Sequence, residues 1–465
     1  MTLHPLFVSG GAANRVGFVF FGDGYTESEK DVFLSDATRL ARDLSTNQTF
    51  ASVGPLLNFY AAFSPSIESG IGVGGVPKDT VYGLYRDGTE LRAIYTSKPD
   101  VAKASCDSLG EMCDYPILLG NDPLYGGLGG PYSITTASVL NGALVLRHEL
   151  GHSIISVGEE YDGGYAYYGP NSSPNLTAPF KWSHWLSTTG DTPRHERAIM
   201  PLQAYPWTML NHTLPFRARF TSAGTYSRHL VRFSLSGLPL KDHLRVTLDD
   251  ADIGWTPRED VGIDRWHYDI RRPEPLQAGE HEVAFWLGHD ADEKIAQLCS
   301  VEILEYGNED EFDATPGVIS AFPTFSLDNL TTYRPTNEQC LMRLTTQSEF
   351  CKPCLEGLWL SLLTRIDLID ALRFRRIEHS SHLMAELELV PLGKLRRNQS
   401  MLEGETYEIT WRKGGNVIPS ASNSTSLDFS PSDGDGVYEV DVVLHTPEVR
   451  RDIEGHVYLD LNVVL

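Results

Sequence analysis

The 465-residue chain has no run of about 18 consecutive apolar residues, so no membrane-spanning helix is expected. Positive charge is scarce: 38 Lys and Arg stand against 62 Asp and Glu, a formal net charge of −24. Phosphate backbones and anionic membrane surfaces both need a basic footprint, so neither nucleic acid nor membrane is an expected partner. Acidity of this size serves solubility. The opening MTLHPLFVSGGAANRVGFVFFGDGY has no charged segment followed by an apolar one, so no signal peptide is read there. The glycine-rich GNDPLYGGLGGPYS (120–133) lacks the lysine and hydroxyl of a phosphate loop. No internal repeat occurs beyond two β modules.

What is present is ordinary for a globular protein of two to four domains: 41% hydrophobic and 22% charged residues. Sequons at Asn47, Asn171, Asn175, Asn211, Asn329, Asn398 and Asn423 and an even count of six cysteines suggest a secreted, extracellular glycoprotein. Cys106 and Cys113 bracket a short loop and are the expected disulfide. Cys340, Cys351 and Cys354 cluster, and Cys299 stands alone. Cys351-x-x-Cys354 has no second pair to make a zinc ribbon, so structural pairing is expected of it.

RVGFVFF (15–21) reads as a buried strand ending in GDGYT. Thr26 and Glu29 form a capping box for a helix carrying Phe33, Ala37, Leu40 and Leu44. PILL (116–119) is a second buried strand. Gly126, Gly127, Leu128 and Gly129 permit close backbone approach, either to a neighbouring segment or to an extended peptide substrate. From about 225 the pattern alternates in VRFSLSGLPL, LRVTLDD, HEVAFWLGH and CSVEILEY, as in a β-sandwich. NEDEFDATPG (308–317) is its expected exit linker. GLWLSLLTRIDLIDALRF (357–374) reads as an amphipathic helix, and alternation returns over 384–465 for a second sandwich.

RHELGHSIISVGEEYDGG (147–164) carries the chemistry. On a helix over 143–157, Ala143, Leu146, Leu150, Ile154 and Val157 share one face. His148 and His152 share the opposite face, one turn apart, so both imidazoles can reach one zinc ion. Glu149 lies at the border, placed to take a proton from water that the metal acidifies. Gly158 can end the helix. The metzincin third histidine is missing, since position 158 is glycine. Glu160 is the expected third ligand and Glu159 the second choice, the other acid supporting a ligating histidine.

These blocks resemble the IgA-cleaving zinc metallopeptidase family, particularly its fungal-type members of unassigned substrate. The matching pieces are FFGDGYTESEKDVFLSDATRLARDL, GNDPLYGGLGG, RHELGHSIISVGEEYDGG, KWSHWL and CLMRLTTQSEFCKPC, spread over residues 15–225 and 335–375. Ile154 and Ile155 are bulkier than the residues this family often carries there. The resemblance implies an α/β (α+β) zincin-like catalytic domain with one catalytic zinc on His148, His152 and a carboxylate of the 159–160 pair. Glu149 becomes the general base, and Met342 a floor beneath the metal. Tyr161 and His195 are oxyanion candidates. The implied organisation is a catalytic first part (1–225), an inserted β-sandwich (226–320), a closing catalytic segment (321–380) and a C-terminal β-sandwich (381–465). The expected activity is that of a secreted zinc endopeptidase acting on protein or peptide. The alternatives are a zinc aminopeptidase, or a binding or adhesion protein whose β modules take a glycan or protein ligand beside a vestigial peptidase domain.

Overall fold

The N-terminal half is built on one six-stranded sheet. In chain order its strands are Thr2–Val8 (β1), Val16–Asp23 (β2), Leu57–Phe63 (β3), Tyr115–Gly120 (β4), Gly127–Leu128 (β5) and Ser133–Thr136 (β6). Their spatial order is β1-β3-β2-β4-β6-β5. The four inner strands run parallel, and both edge strands, β1 and β5, are antiparallel to their neighbours. Parallel strands are covered on both faces, and β2 and β3 are buried at every position. This computed structural model describes all residues except 47, 178, 189, 191, 377–381, 430–436 and 465, with backbone alone for 48 and 459–464. The Asn47 sequon therefore lies outside the described residues.

Alternation along these strands sorts side chains to two cores. Phe18, Phe20, Phe59, Ala61, Ile117 and Leu119 face one core; Val19, Phe21, Tyr60, Ala62, Leu118 and Ile134 face the other. Helix α1 (Lys30–Thr46) covers the first face with Phe33, Ala37, Leu40 and Leu44. It begins where expected: Thr26 and Glu29 close the capping box. Helix α2 (Pro99–Asp107) packs near β4 on the second face, tied down by the Cys106–Cys113 disulfide. Asp23, at the end of β2, accepts the N–H groups of Tyr82 and Leu84 and the hydroxyl of Thr80, which fixes the 80–84 loop. Helix α3 (Gly142–Leu150) follows β6.

Two sheet pairs follow. The first pairs Gln297–Tyr306 with Ala198–Ala204, Thr208–Met209 and Arg228–Ser236, and Arg228–Ser236 with Trp266–Arg272. It packs on a sheet of Phe216–Ser222, Gly279–Leu287, Leu244–Leu248 and Ala251–Asp252, with Phe233 against Phe285 at the centre. Its strands thus begin at 198 rather than 226. The 198–222 strands gain their backbone partners only from residues some 60 to 100 positions later, which local patterning does not display. Residues 308–317 are not a free linker, because Phe312 is buried between Tyr306 and Phe322.

Helix α4 (Lys352–Leu363) is shorter than the expected 357–374 span and starts earlier. Ile369–Arg376 is instead a strand on Leu383–Leu389, with Arg373–Glu388 and Arg375–Glu386 pairing charges across the ladder. The cross-strand ladder overrides the helical spacing of the same residues. With Ser426–Phe429 these strands make one sheet, and Thr406–Lys413, Asn416–Val417, Val437–His445 and Tyr458–Val464 make the other. The core between them is continuous with the one under α1, α3 and α4.

Phe33 is fully buried between Tyr25 and Phe63 and lies over Gly22. We expect Phe33→Ala to lower unfolding free energy by ~3–5 kcal/mol in a denaturant titration. A loss below 1 kcal/mol would show that this face of the sheet contributes little to cooperative stability.

Candidate metal centre

The histidine helix does not run evenly to Val157. Helix α3 gives way at Gly151 to one wide turn, Gly151–Ile155, and the chain leaves it through Ser156 in the left-handed region (φ 56°). Ser156, not Gly158, makes the helix-ending turn. Leu146, Leu150, Ile154 and Val157 are buried, so the apolar back is as expected. Wide turns inserted in α-helices often mark functional sites.

His148 and His152 lie with ring centroids 4.9 Å apart. His148 Nδ1 donates to the Leu341 carbonyl at 3.0 Å, and His152 Nδ1 donates to the Val157 carbonyl at 2.8 Å. A carbonyl only accepts, so both protons sit on Nδ1 in the neutral rings and both Nε2 lone pairs point to one place. That place is the Glu159 carboxylate, 3.3 Å from His148 Nε2 and 3.0 Å from His152 Nε2. Two donors at about 2.0–2.1 Å from a tetrahedral ion stand roughly 3.3 Å apart. These three residues therefore fit one metal ion, their donor atoms all lying within 4.8 Å of one another.

Glu160 is not with the histidines. Its carboxylate is fully buried on the far side, bonded to Asn171 Nδ2 at 2.9 Å and facing the sulphurs of Cys351 and Cys354. The expected order of the two acids is therefore reversed. The reason lies in the backbone: Glu159 N–H bonds to Ala166 O and Glu160 N–H to Met342 O, so the consecutive residues turn to different neighbours. Burial of Asn171 also removes it from the usable sequons.

Glu149 lies on the β5 side. A Cβ added to Gly129 would stand 2.8 Å from Glu149 Oε2, and one on Gly127 would stand 3.4 Å from Oε1. Gly127 and Gly129 are thus required by the histidine helix packed over them, while a Cβ on Gly126 would meet Ile94 and Arg86 instead. Gly126, Gly127, Leu128 and Gly129 lie at the open edge of the sheet, next to the base candidate. Burial raises the Glu149 pKa above its ordinary value, opposed by the two histidines. Tyr161 stacks near His148 at 6.4 Å; the residue is 39% exposed, but desolvation at its hydroxyl end, with Glu159 and Glu149 close by, raises its pKa well above the ordinary value. Tyr125, which the sequence reading did not single out, shares this field: burial raises its pKa, with Glu149 and Glu159 adding to the shift. Its place within GNDPLYGGLGG was the available signal. His195 bridges to Ala321 and packs on Tyr333; it is exposed and tied to that segment instead.

Two distant segments brace the centre. CLMR (340–343) supplies the Leu341 carbonyl to His148, the Met342 carbonyl to Glu160, and Arg343 to buried Asp162 at 2.6 Å. Met342 Sδ would be 2.9 Å from a Cβ on Gly151, so it lies directly against the histidine helix. From the first sandwich, Asp264 accepts from Tyr125 N, Ser138 Oγ and Asn141 Nδ2, joining the glycine-rich run to the start of α3.

In the metal-free protein, burial works to lower the His148 pKa but Glu159 and Glu149 hold it up at about 9, against an ordinary 6.5. Burial works to raise Glu159, yet His148 and His152 bring it down to about 2, against 4.5. A raised base stabilises below 6.5 and loses that contribution toward 9; a lowered acid stabilises above 4.5 and loses it toward 2. With chelator present, the Tm should be highest between pH 4.5 and 6.5 and fall on both sides. Glu159→Gln should abolish the alkaline fall. A wild-type Tm flat from pH 6.5 to 9 would contradict the pairing.

No curated protein matches the chain. A β-porphyranase of glycoside hydrolase family 86 from the human gut bacterium Bacteroides plebeius shares 12% identity, over 24% of this chain and 20% of that one, with a TM-score of 0.19. The chain thus spans about a fifth of that enzyme. A family 35 carbohydrate binding module from an environmental isolate shares 12% identity over 32% of this chain and 92% of that one, TM-score 0.16. A β-galacturonidase from Eisenbergiella tayi shares 11% over 54% and 35%, TM-score 0.14. Scores this low carry no argument. Residues 5–200, which hold the whole histidine helix and both acids, match the model of the IgA peptidase M64 family, and this match supports an IgA-peptidase-like metallopeptidase family for that part of the chain.

Proposed function

We propose that the chain is a secreted zinc-dependent endopeptidase with a zincin-like catalytic domain, its ion held by His148, His152 and Glu159. The observation that carries this reading is the position of Glu149, whose carboxylate packs against Gly127 and Gly129 of the β5 run and lies in the field of His148, His152 and Glu159. When bound, zinc supplies Lewis-acid polarisation of the scissile carbonyl and acidifies water. The protein's own groups do the rest. Strand β5 aligns an extended peptide by backbone hydrogen bonding along its edge. Glu149 takes the proton from water as its oxygen bonds to the carbonyl carbon. It returns that proton to the leaving nitrogen as the C–N bond breaks. Tyr161 and Tyr125, both kept protonated, are the donors available to the developing oxyanion.

An edge strand offers its backbone to a peptide along its length and needs no free terminus, which favours an endopeptidase over an aminopeptidase. In the proposed organisation the first sandwich braces the substrate edge through Asp264, and the second supplies core behind α4. Secretion is supported by the Cys106–Cys113 disulfide and by exposed sequons at Asn175, Asn211, Asn329, Asn398 and Asn423.

Glu149→Gln should lower kcat for peptide cleavage by about 100- to 10,000-fold, with Tm and metal content unchanged. Wild-type activity in that variant would remove Glu149 as the base. Cleavage of N-acetylated peptides at internal bonds is expected; strict need for a free amine would favour the aminopeptidase.

A further inference from the structure

Cys340, Cys351 and Cys354 are fully or almost fully buried and converge on the Glu160 carboxylate, away from the histidine cluster. Cys340 Sγ and Cys354 Sγ stand 3.9 Å apart, and Glu160 Oε1 lies 3.6 Å from Cys354 Sγ and 3.8 Å from Cys351 Sγ. The four donors are all within 4.8 Å of one another. Zinc takes thiolate sulphur at about 2.3 Å and carboxylate oxygen at about 2.0 Å, so the edges of a tetrahedral site are roughly 3.8 Å between sulphurs and roughly 3.5 Å from sulphur to oxygen. The observed separations are close to those edges.

A second observation points the same way. Glu160 Oε2 is buried without a hydrogen-bond partner among the described residues. A buried carboxylate oxygen left without a partner is costly unless something meets it. The cysteines do not resolve as a disulfide framework either. The same structure closes Cys106–Cys113, while Cys340, Cys351 and Cys354 remain free thiols. Three sulphurs cannot all pair among themselves, and Cys299, the other free cysteine, belongs to the first sandwich.

We propose that Cys340, Cys351, Cys354 and Glu160 form a second, structural metal site for a thiophilic divalent cation, zinc in the first instance. It is closed, with four protein donors and no position left for water, as structural zinc sites are. On binding, the thiols release their protons to solvent and the ion ties the 158–160 run to the start of α4 and to the CLMR segment. This site sets the position of Glu159 through its neighbour Glu160, and of His148 through Leu341, which follows Cys340. It stands whether or not the histidine cluster is catalytic.

The test uses the full chain, loaded with zinc and dialysed, with metal counted by mass spectrometry. Wild type should hold two ions, and His148→Ala with His152→Ala should keep one. Cobalt(II) in that double variant should give the intense thiolate charge-transfer band that nitrogen and oxygen ligands do not produce. Cys354→Ser in the double-variant background should lose the ion; should it fail to fold, the cobalt spectrum alone decides. A double variant without metal overturns the proposal. So does alkylation of the unreduced, denatured protein that finds any two of these three cysteines joined as a disulfide.

Discussion

Everything at the centre depends on how residues 158–162 are held between two sides of the molecule. Gly158 and Glu159 bond to the 166–168 backbone on one side, and Glu160 bonds to Met342 on the other. Asp162 is buried against Arg343 and also accepts the Phe325 N–H. Removing one member of a fully buried ion pair leaves the other charge unmet, a change that usually costs about 3–5 kcal/mol. That constraint decides which of two adjacent acids reaches the histidines. It also explains why the site needs residues almost 200 positions downstream of its helix.

The electrostatics of the centre follow from the same arrangement. One carboxylate faces two imidazoles whose other nitrogens are held by carbonyls, so the cluster has one way to satisfy its charges. Glu149 stays outside this pairing, and burial raises its pKa above the ordinary value. Two glutamates in one site thus acquire opposite characters from their surroundings, the family match at residues 5–200 bringing both within its span.

Much of this was legible in the sequence where local rules dominate. The β2 strand, the Thr26–Glu29 cap, the α1 face and the histidine pair are set by periodicity and capping within a few residues. So was the Cys106–Cys113 pairing, whose loop is short. What was not legible depends on distant partners. Choosing Glu159 over Glu160 requires knowing that Met342 and three cysteines wait on one side. Residues 369–374 read as the end of a 357–374 helix until Leu383–Leu389 pairs with them. Ser156 takes the left-handed turn although Gly158 is close by, because the wide turn ends two residues early. Asn171 has the letters of a glycan acceptor and the burial of a core residue.

The core shared by α1, α3, α4 and the C-terminal sandwich also fixes an order of events in time. A growing chain presents the histidine helix early, but its carbonyl anchor at Leu341, its backing at Met342 and its sandwich support emerge some 190 to 290 residues later. Until then His148 lacks the carbonyl that fixes its tautomer, and the Glu160 backbone lacks its Met342 partner. The centre is therefore assembled last, so a chain stopped midway through synthesis carries the motif without the machinery.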